Sequence, residues 1–145
     1  MFRHIGIVTR NPVESVFFYR QFGFQHLISK EEHQGFIDRI SKLNKSNLTT
    51  YRLVNKDGDM IELLHYGKDI TDNKPTCLTD VGLAHIALTI ESFDKLLVDN
   101  NLICEPTVDP EGKAKVAFCI SPEGVLIELV EIIERNDDDR CRNWN

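Results

Sequence analysis

The sequence predicts an α+β fold made of two tandem βαβββ modules, because two short patterns occur twice and in the same order. The first is an apolar strand with a histidine, His4-Ile-Gly-Ile-Val, which returns as His85-Ile-Ala-Leu-Thr. The second is an apolar strand with a glutamate after a turn glycine, Gly58-Asp-Met-Ile-Glu62-Leu-Leu, which returns as Gly124-Val-Leu-Ile-Glu128-Leu-Val. A pattern that repeats in order indicates a duplicated structural unit.

The first module is expected over residues 2–66. It opens with a strand at residues 2–9, and a helix then begins at Pro12 behind a capping Asn11. The helix continues at helical spacing through Val13, Val16, Phe17 and Arg20, and Gly23 supplies a stop. Three further strands follow by pattern, with the turn signal Asp57-Gly58 between the last two; they are Phe24 to Ile28, Thr49 to Val54 and Met60 to His65.

The second module is expected over residues 82–133, after a polar linker at residues 67–81. A strand from Leu83 to Ile90 leads to a capping Ser92, and a helix then continues to a stop at Asn100-Asn101. The helix carries Phe93, Leu96 and Leu97 on one face. Three strands complete the copy, near Ile103, at Val116 to Ile120 and at Val125 to Ile132. Residues 134–145 form a polar tail with Asp137-Asp138-Asp139 and Trp144.

The first module is longer than the second because of an additional segment at residues 31–46. Apolar side chains recur there at a spacing that fits a short helix; they follow His33 and are Phe36, Ile37, Ile40 and Leu43. Such a helix could cover a cleft or lie on the outside of the module, and we favour the outside.

Length and composition restrict the class of protein. With 145 residues and 41% hydrophobic content, the chain fits one compact domain with a substantial core. The net charge of −6, from 17 Lys and Arg against 23 Asp and Glu, leaves no basic stripe for phosphates, so nucleic acid is not an expected partner. No apolar run approaches the ~20 residues that a membrane span needs, and we expect a cytoplasmic protein.

Four cysteines show no spacing of paired metal ligands. They are Cys77, Cys104, Cys119 and Cys141. Without an export signal at Met1 we interpret them as reduced thiols and not as a disulfide framework.

The two repeated glutamates need partners, since each lies in the middle of an apolar run. An unpaired buried carboxylate costs several kcal/mol, so it is paired, protonated or bound to a metal. His4 and His85 are the natural partners of Glu62 and Glu128, because imidazole and carboxylate together suit Zn, Ni, Co, Fe or Mn. An alternative is that the histidines are hydrogen-bonded core residues and the glutamates lie at strand edges. This alternative would explain one such pair, but it explains the repetition of the pair less well.

Strand alternation places each histidine away from the helix of its module. His4, Gly6 and Val8 share one face of their strand, and His85 shares a face with Ala87 and Thr89. Both histidines should therefore point into a cleft, where small neighbours leave room for a substrate.

His4, Glu62, His85 and Glu128 within paired βαβββ units closely resemble the vicinal oxygen chelate superfamily. That superfamily includes glyoxalase I, methylmalonyl-CoA epimerase, fosfomycin resistance proteins, bleomycin-sequestering proteins and extradiol dioxygenases. The resemblance covers residues 2–133 as a single domain. It implies curled mixed sheets around a metal-binding cleft, with a divalent metal held by these four residues and a small substrate that presents two adjacent oxygens.

The resemblance to glyoxalase I implies a lyase or isomerase in which a metal stabilises an enediolate and carboxylates move the proton. Glu128 is the first choice for the base, and Glu62 is the opposing acid or base. Bacterial glyoxalases carry a basic residue and an asparagine where this sequence has Val8 and Tyr66, although Arg10 could replace the first. Glutathione is therefore a weaker expectation as co-substrate.

Other members of the superfamily supply the alternatives. Methylmalonyl-CoA epimerase, which acts on a CoA thioester, is the second choice, because Ile61-Glu-Leu-Leu-His65 resembles its segments. An extradiol dioxygenase is the third, and a non-catalytic sequestering protein is the alternative from another class. Fosfomycin-type transfer is disfavoured because no potassium-binding loop is found. The superfamily further implies a homodimer.

We expect the remaining histidines and Glu131 to lie outside the metal site. His65 and Glu131 each fall three residues after a repeated glutamate and so should face the opposite side of the strand. We expect His65 in a second layer or at the surface, Glu131 in solvent, and His26 and His33 exposed.

Overall fold

The computed structural model describes residues 1–71, 78–96 and 102–134. The chain divides into two compact units, Met1–Thr76 with Ser121–Val125, and Cys77–Ile120 with Leu126–Asn145. Each unit contains one four-stranded mixed sheet, so the predicted α+β fold of two tandem modules is confirmed. Several predicted features lie outside the described residues: part of the linker, Leu97 with the Asn100-Asn101 stop, the tail beyond Glu134, Cys77 and Cys141.

The sheet of the first unit has the strand order β1-β4-β3-β2. Strand β1 runs parallel to β4, and the other pairs are antiparallel. The third and fourth strands have the predicted bounds, whereas the first is shorter than predicted and the second is longer. The elements are β1 (Ile5–Val8), α1 (Pro12–Arg20), β2 (Gln25–Glu31), α2 (Gln34–Ser41), β3 (Thr49–Val54) and β4 (Met60–His65).

Helix α1 begins as predicted. The Asn11 side chain accepts a hydrogen bond from the Glu14 amide at 3.3 Å, and Pro12 occupies the first turn. The chain turns at Gly23, whose φ of +87° lies in the left-handed region that favours glycine.

The buried face of α1 differs from the predicted spacing. Val13 and Phe17 are 80% and 62% exposed, and the helix instead buries Ser15, Phe18 and Tyr19. Apolar residues occur on both sides of this helix, so their spacing alone did not define the face that meets the sheet.

Helix α2 forms within the additional segment and contributes little to the core. Ile37 is buried, whereas Phe36, Ile40 and Leu43 are each about half exposed or more. The Asp38 carboxylate holds the chain that follows, accepting hydrogen bonds from the amides of Lys45 and Ser46, each at 2.9 Å, and from the Ser46 hydroxyl at 2.6 Å.

The sheet of the second unit repeats the topology of the first, with the order β5-β8-β7-β6 and β5 parallel to β8. Strand β5 begins three residues later than predicted, and β7 begins two residues earlier. The strands are β5 (Ile86–Ile90), β6 (Thr107–Val108), β7 (Ala114–Ile120) and β8 (Leu126–Ile132).

The predicted second helix is reduced to a single 3₁₀ turn, Phe93–Lys95, in the part of the chain that is described. Ser92 caps it as expected, but Leu96 already has an extended backbone, with φ −80° and ψ 138°. The amide of Phe93, the first residue of this turn, donates to Glu131 Oε2 at 2.8 Å. The prediction of a solvated Glu131 was therefore wrong.

The strand predicted near Ile103 is also wrong. Among the described residues there, Leu102 forms an isolated bridge to Cys119 and the Ile103 amide donates to the Phe118 carbonyl oxygen at 2.9 Å, without a strand, and the edge strand of this sheet is β6 at Thr107–Val108.

Each sheet has one face toward an apolar core and one face that carries the repeated glutamate. In the first unit Ile7, Ile61 and Leu63 are buried, whereas Gly6 and Val8 on the alternate positions are exposed. In the second unit Ile127 and Leu129 are buried on either side of Glu128. Within the described ranges, no helix is long and apolar enough to cross a membrane.

Candidate metal centre

The first unit brings His4 and Glu62 together. Glu62 lies in the middle of β4, opposite Gly6 of β1, and His4 immediately precedes β1. His4 Nε2 is 3.5 Å from Glu62 Oε2, and the two side chains are 32% and 12% exposed.

The second unit repeats this pair at the same positions. Glu128 of β8 lies opposite Ala87 of β5, and His85 immediately precedes β5. His85 Nε2 is 3.1 Å from Glu128 Oε2, with side-chain exposures of 34% and 27%. Two histidines and two glutamates that are distant in sequence therefore form two pairs with one geometry.

The residue opposite each glutamate on the next strand differs between the units. Arg52 of β3 lies opposite Glu62, and its Nε donates to Glu62 Oε1 at 2.9 Å. Phe118 of β7 lies opposite Glu128. Within the described residues Glu62 thus has a partner on each oxygen, whereas Glu128 pairs with His85 alone.

The second ring nitrogen of His85 is buried and unpaired within the described part of the chain. Its Nδ1 atom is buried and has no hydrogen-bond partner among the described residues. An unsatisfied buried polar atom costs about 1–3 kcal/mol.

The donor atoms of each pair fit a shared divalent ion. Metal bonds to imidazole nitrogen and carboxylate oxygen are about 2.0–2.2 Å long, so two such donors on one ion lie about 3–3.5 Å apart. The observed separations of 3.5 Å and 3.1 Å fall in this range, and all four side chains are partly accessible. Arg52 leaves Oε2 of Glu62 available and would orient the carboxylate from outside the metal shell.

The described residues of each unit group two candidate metal ligands and not more. Within the described part of each unit, no three His, Cys, Asp or Glu side chains are grouped so that they could hold a metal ion. Each pair by itself supplies one nitrogen and one oxygen donor.

The other predicted histidines lie elsewhere. His65 faces the core side of β4, as expected, where its Nδ1 atom is 3.0 Å from the Thr9 carbonyl oxygen. His26 and His33 are exposed, as expected, and His26 Nε2 lies 2.8 Å from Ser29 Oγ.

Two of the four cysteines lie in described residues, and both are free. Cys104 is exposed, and Cys119 is fully buried. Burial raises the pKa of the Cys119 thiol to about 11, which keeps it protonated and unreactive at neutral pH.

Arg52 and Phe118 are the site residues that the sequence interpretation missed. A signal was present, because each residue lies equally far ahead of its repeated turn glycine, Gly58 or Gly124. Superposing the two hairpins by these glycines places both residues opposite the glutamates.

The fold is shared with solved structures of the glyoxalase type. A glyoxalase family protein from Bacillus cereus aligns with a TM-score of 0.81 and 21% identity over 90% of this chain and 93% of its own. A glyoxylase/bleomycin resistance protein/dioxygenase domain from a Frankia species aligns with a TM-score of 0.65 and 14% identity over 94% of both chains. Glyoxalase I from Zea mays gives 0.64 and 17% over 93% of this chain and 44% of its own.

These similarities show that the chain has the fold of the solved glyoxalase-type structures, which is the fold that the resemblance predicts. No protein-family model matches the sequence, and no curated protein does.

Proposed function

We propose that this chain, which has the fold of the glyoxalase-type structures, is a divalent-metal-dependent lyase or isomerase of the glyoxalase I type. His4, Glu62, His85 and Glu128 would hold the metal, and Glu128 and Glu62 would serve as the acid and base. The observation that carries the proposal is the repeated His–Glu pair, which occupies the same strand positions in both sheets.

The bound metal would supply positive charge that stabilises the negative charge formed on a substrate oxygen when the neighbouring carbon loses its proton. Glu128 is the better base, because none of the described cations pairs with its carboxylate. The carboxylate would take the proton from one carbon and return it to the next. Glu62, which Arg52 holds through Oε1, is the opposing acid or base.

Metal binding and proton exchange together test this proposal. The chain is stripped with a chelator, titrated with Zn, Ni, Co, Fe and Mn, and then incubated in D₂O with the methylglyoxal–glutathione adduct or with methylmalonyl-CoA. We expect about one divalent ion per site and metal-dependent exchange on one of the two substrates. His85→Ala should lose the metal, and Glu128→Gln should lose the exchange.

Matched controls are available outside the two pairs. His26→Ala removes an exposed histidine, and Glu105→Gln removes an exposed carboxylate. Both variants should keep wild-type metal binding. Absence of metal binding in the wild type would refute the enzyme proposal and favour a ligand-sequestering protein.

An epimerase of the methylmalonyl-CoA type is the second candidate, since it performs the same proton abstraction on a CoA thioester. The positively charged Arg52 beside Glu62 favours it, because substrates of this class carry a carboxylate close to the reacting carbon. Exchange on methylmalonyl-CoA without exchange on the glutathione adduct would select it.

We further propose that two copies of the chain associate as a homodimer. Light scattering of the purified protein would give the mass of either one chain or two.

A further inference from the structure

We propose that helix α2 and the turn after it form a peripheral docking surface for anionic phospholipid membranes. The surface consists of exposed residues in the additional segment of the first unit, which we call the α2 surface; they are Phe36, Arg39, Ile40, Lys42, Leu43 and Lys45. The inference is independent of the enzymatic function proposed above, since none of these residues is a candidate metal ligand.

The apolar part of the α2 surface is not covered by the protein. Ile37 attaches α2 to the core and is 7% exposed, whereas Phe36 and Ile40 are 50% and 63% exposed. Phe36 and Ile40 are four positions apart, so their side chains are neighbours on the helix. Leu43, just beyond the helix, is 48% exposed. The segment therefore carries more apolar surface than its attachment to the unit uses.

The basic part of the α2 surface consists of Arg39, Lys42 and Lys45. Arg39 Nε donates to the Gly35 carbonyl oxygen at 3.1 Å, which holds this side chain along the helix. Among the described residues, none of the three cations forms an ion pair with a carboxylate. Since the whole chain has a net charge of −6, these cations form a basic patch on an acidic protein.

The carboxylates close to this patch in sequence do not cancel its charge. Glu32 is bonded to Lys30 Nζ at 2.6 Å, so these two charges balance each other. Asp38 holds the loop after α2 through its hydrogen bonds, and it lies on a different side of the helix from residues two positions away. Glu31 is exposed at the end of β2. Three cations against Asp38 and Glu31 leave surplus positive charge.

Lys42 and Lys45 both have a backbone conformation that lysine rarely adopts. Their φ angles are +63° and +56°, in the left-handed region where a side chain with a Cβ atom is strained. Glycine or asparagine adopts this region at a lower cost. The chain nevertheless places a lysine at both positions, which indicates that the positive charge is used.

This combination is typical of helices that lie in the interface of an anionic membrane. Apolar side chains enter the headgroup region, while lysine and arginine beside them are attracted to the negative lipids. Docking of this kind needs no membrane-spanning helix. A second copy of the chain fits less well, because a symmetric contact through this face would place two basic patches against each other.

Co-sedimentation of the full chain with lipid vesicles tests the proposal. The vesicles contain either phosphatidylcholine alone or phosphatidylcholine mixed with phosphatidylserine. The charge variant is Lys42→Asn with Lys45→Asn, because asparagine suits the left-handed backbone. Its control is Lys56→Asn with Lys68→Asn, which removes the same charge from two other exposed positions.

A second variant removes the apolar part while the charges stay. It is Phe36→Ser with Ile40→Ser, and its control is Val13→Ser with Phe17→Ser. Val13 and Phe17 are 80% and 62% exposed and have the same spacing on α1. The circular dichroism spectrum and the unfolding midpoint of every variant are measured in parallel, so that loss of the fold is recognised.

We expect wild type to bind the vesicles that contain phosphatidylserine and to be released as the salt concentration rises. The charge variant should bind about tenfold more weakly or less. The apolar variant should also lose about tenfold, because its side chains no longer leave water for the membrane. Both controls should match wild type.

Absence of wild-type binding to the mixed vesicles would overturn the inference, as would equal binding to both kinds of vesicle. A charge variant that binds as tightly as wild type would do the same. Wild-type binding to soluble polyglutamate but not to vesicles would replace the membrane with an acidic protein partner. A dimer that dissociates in the apolar variant, as measured by light scattering, would show instead that a second copy covers the α2 surface.

Discussion

The ring of His85 meets the ring of Phe118 edge to face, with centroids 5.5 Å apart and planes at 89°. Such pairs contribute about 0.5–1.5 kcal/mol beyond the area they bury. Phe118 therefore supports the imidazole whose Nε2 faces Glu128, and His4 has no such ring contact among the described residues.

Replacing Phe118 with leucine should loosen His85 without removing a metal donor. We expect metal affinity to fall by about tenfold, the lower end of the range for residues that support a ligand from outside the metal shell. Competition against a chelator would measure it. A fall of the same size in Phe36→Leu, a phenylalanine that is 50% exposed on α2, would show that the effect is not specific to His85.

The two repeated glutamates should differ in their contribution to stability. Glu62→Gln leaves Arg52 without its carboxylate partner, and it should lower the free energy of unfolding by about 1 kcal/mol, since Glu62 is nearly buried. Glu128→Gln breaks no ion pair with a described lysine or arginine and should cost less. Urea unfolding of both variants measures the difference.

A double-mutant cycle with Arg52→Met isolates the interaction between Arg52 and Glu62. We expect a coupling energy of about 0.5–1.5 kcal/mol. A coupling energy near zero would mean that the stability lost in Glu62→Gln has another cause.

Glu123 should matter more for stability than its position in a turn indicates. Within the first unit its carboxylate accepts hydrogen bonds from the hydroxyls of Ser15, Tyr19 and Ser121, the last at 2.7 Å. Ser15 and Tyr19 are fully buried, so Glu123→Ala removes one charged acceptor that these buried hydroxyls share. We expect a loss of about 1–3 kcal/mol in the free energy of unfolding.

Thermal or urea unfolding would test this, with Glu105→Ala as the control at an exposed glutamate. Equal stability of the two variants would show that the hydroxyls find other partners when Glu123 is absent.

Asp38 should make the protein sensitive to acid. Hydrogen bonds from Ser46 and Lys45 hold the pKa of its carboxyl below the ordinary value of 3.8. A lowered pKa in the folded state means that this stabilisation is complete above 3.8 and is lost as the pH falls through the folded-state value. Glu32 acts in the same direction, since hydrogen bonds from Lys30 and Thr50 lower its pKa.

Melting temperatures of wild type and Asp38→Asn between pH 7 and pH 3 would measure this effect. The wild type should be more stable at neutral pH, and the difference should narrow toward the acid end. A difference that stays constant across this range would mean that ionisation of Asp38 does not stabilise the loop.

Local signals predicted the parts of the fold that depend on neighbouring residues. Asn11 and Pro12 specify the start of α1, because both act within one helical turn. The bounds of β3 and β4 follow from alternation around the turn at Gly58. Both His–Glu pairs could be predicted as well, because each histidine and each glutamate belongs to a short pattern that occurs twice.

The wrong predictions depend on residues that lie far apart in sequence. Glu131 was expected in solvent, but its carboxylate accepts a hydrogen bond from the Phe93 amide, 38 positions earlier in the chain. The face of α1 that is buried depends on the sheet it meets and not on its own apolar residues. Arg52 was overlooked for the same reason, since its role depends on its register against Glu62.

The inclusion of residues 121–125 in the first unit has a consequence for how the chain acquires its structure during synthesis. Ser15 and Glu123 are separated by 108 positions, so the first unit cannot complete its buried hydrogen bonds until most of the second has left the ribosome. Closing so long a loop slows folding more than it lowers stability, because its entropic cost grows only logarithmically with length. The first unit, most of which is synthesised first, should therefore complete its folding last.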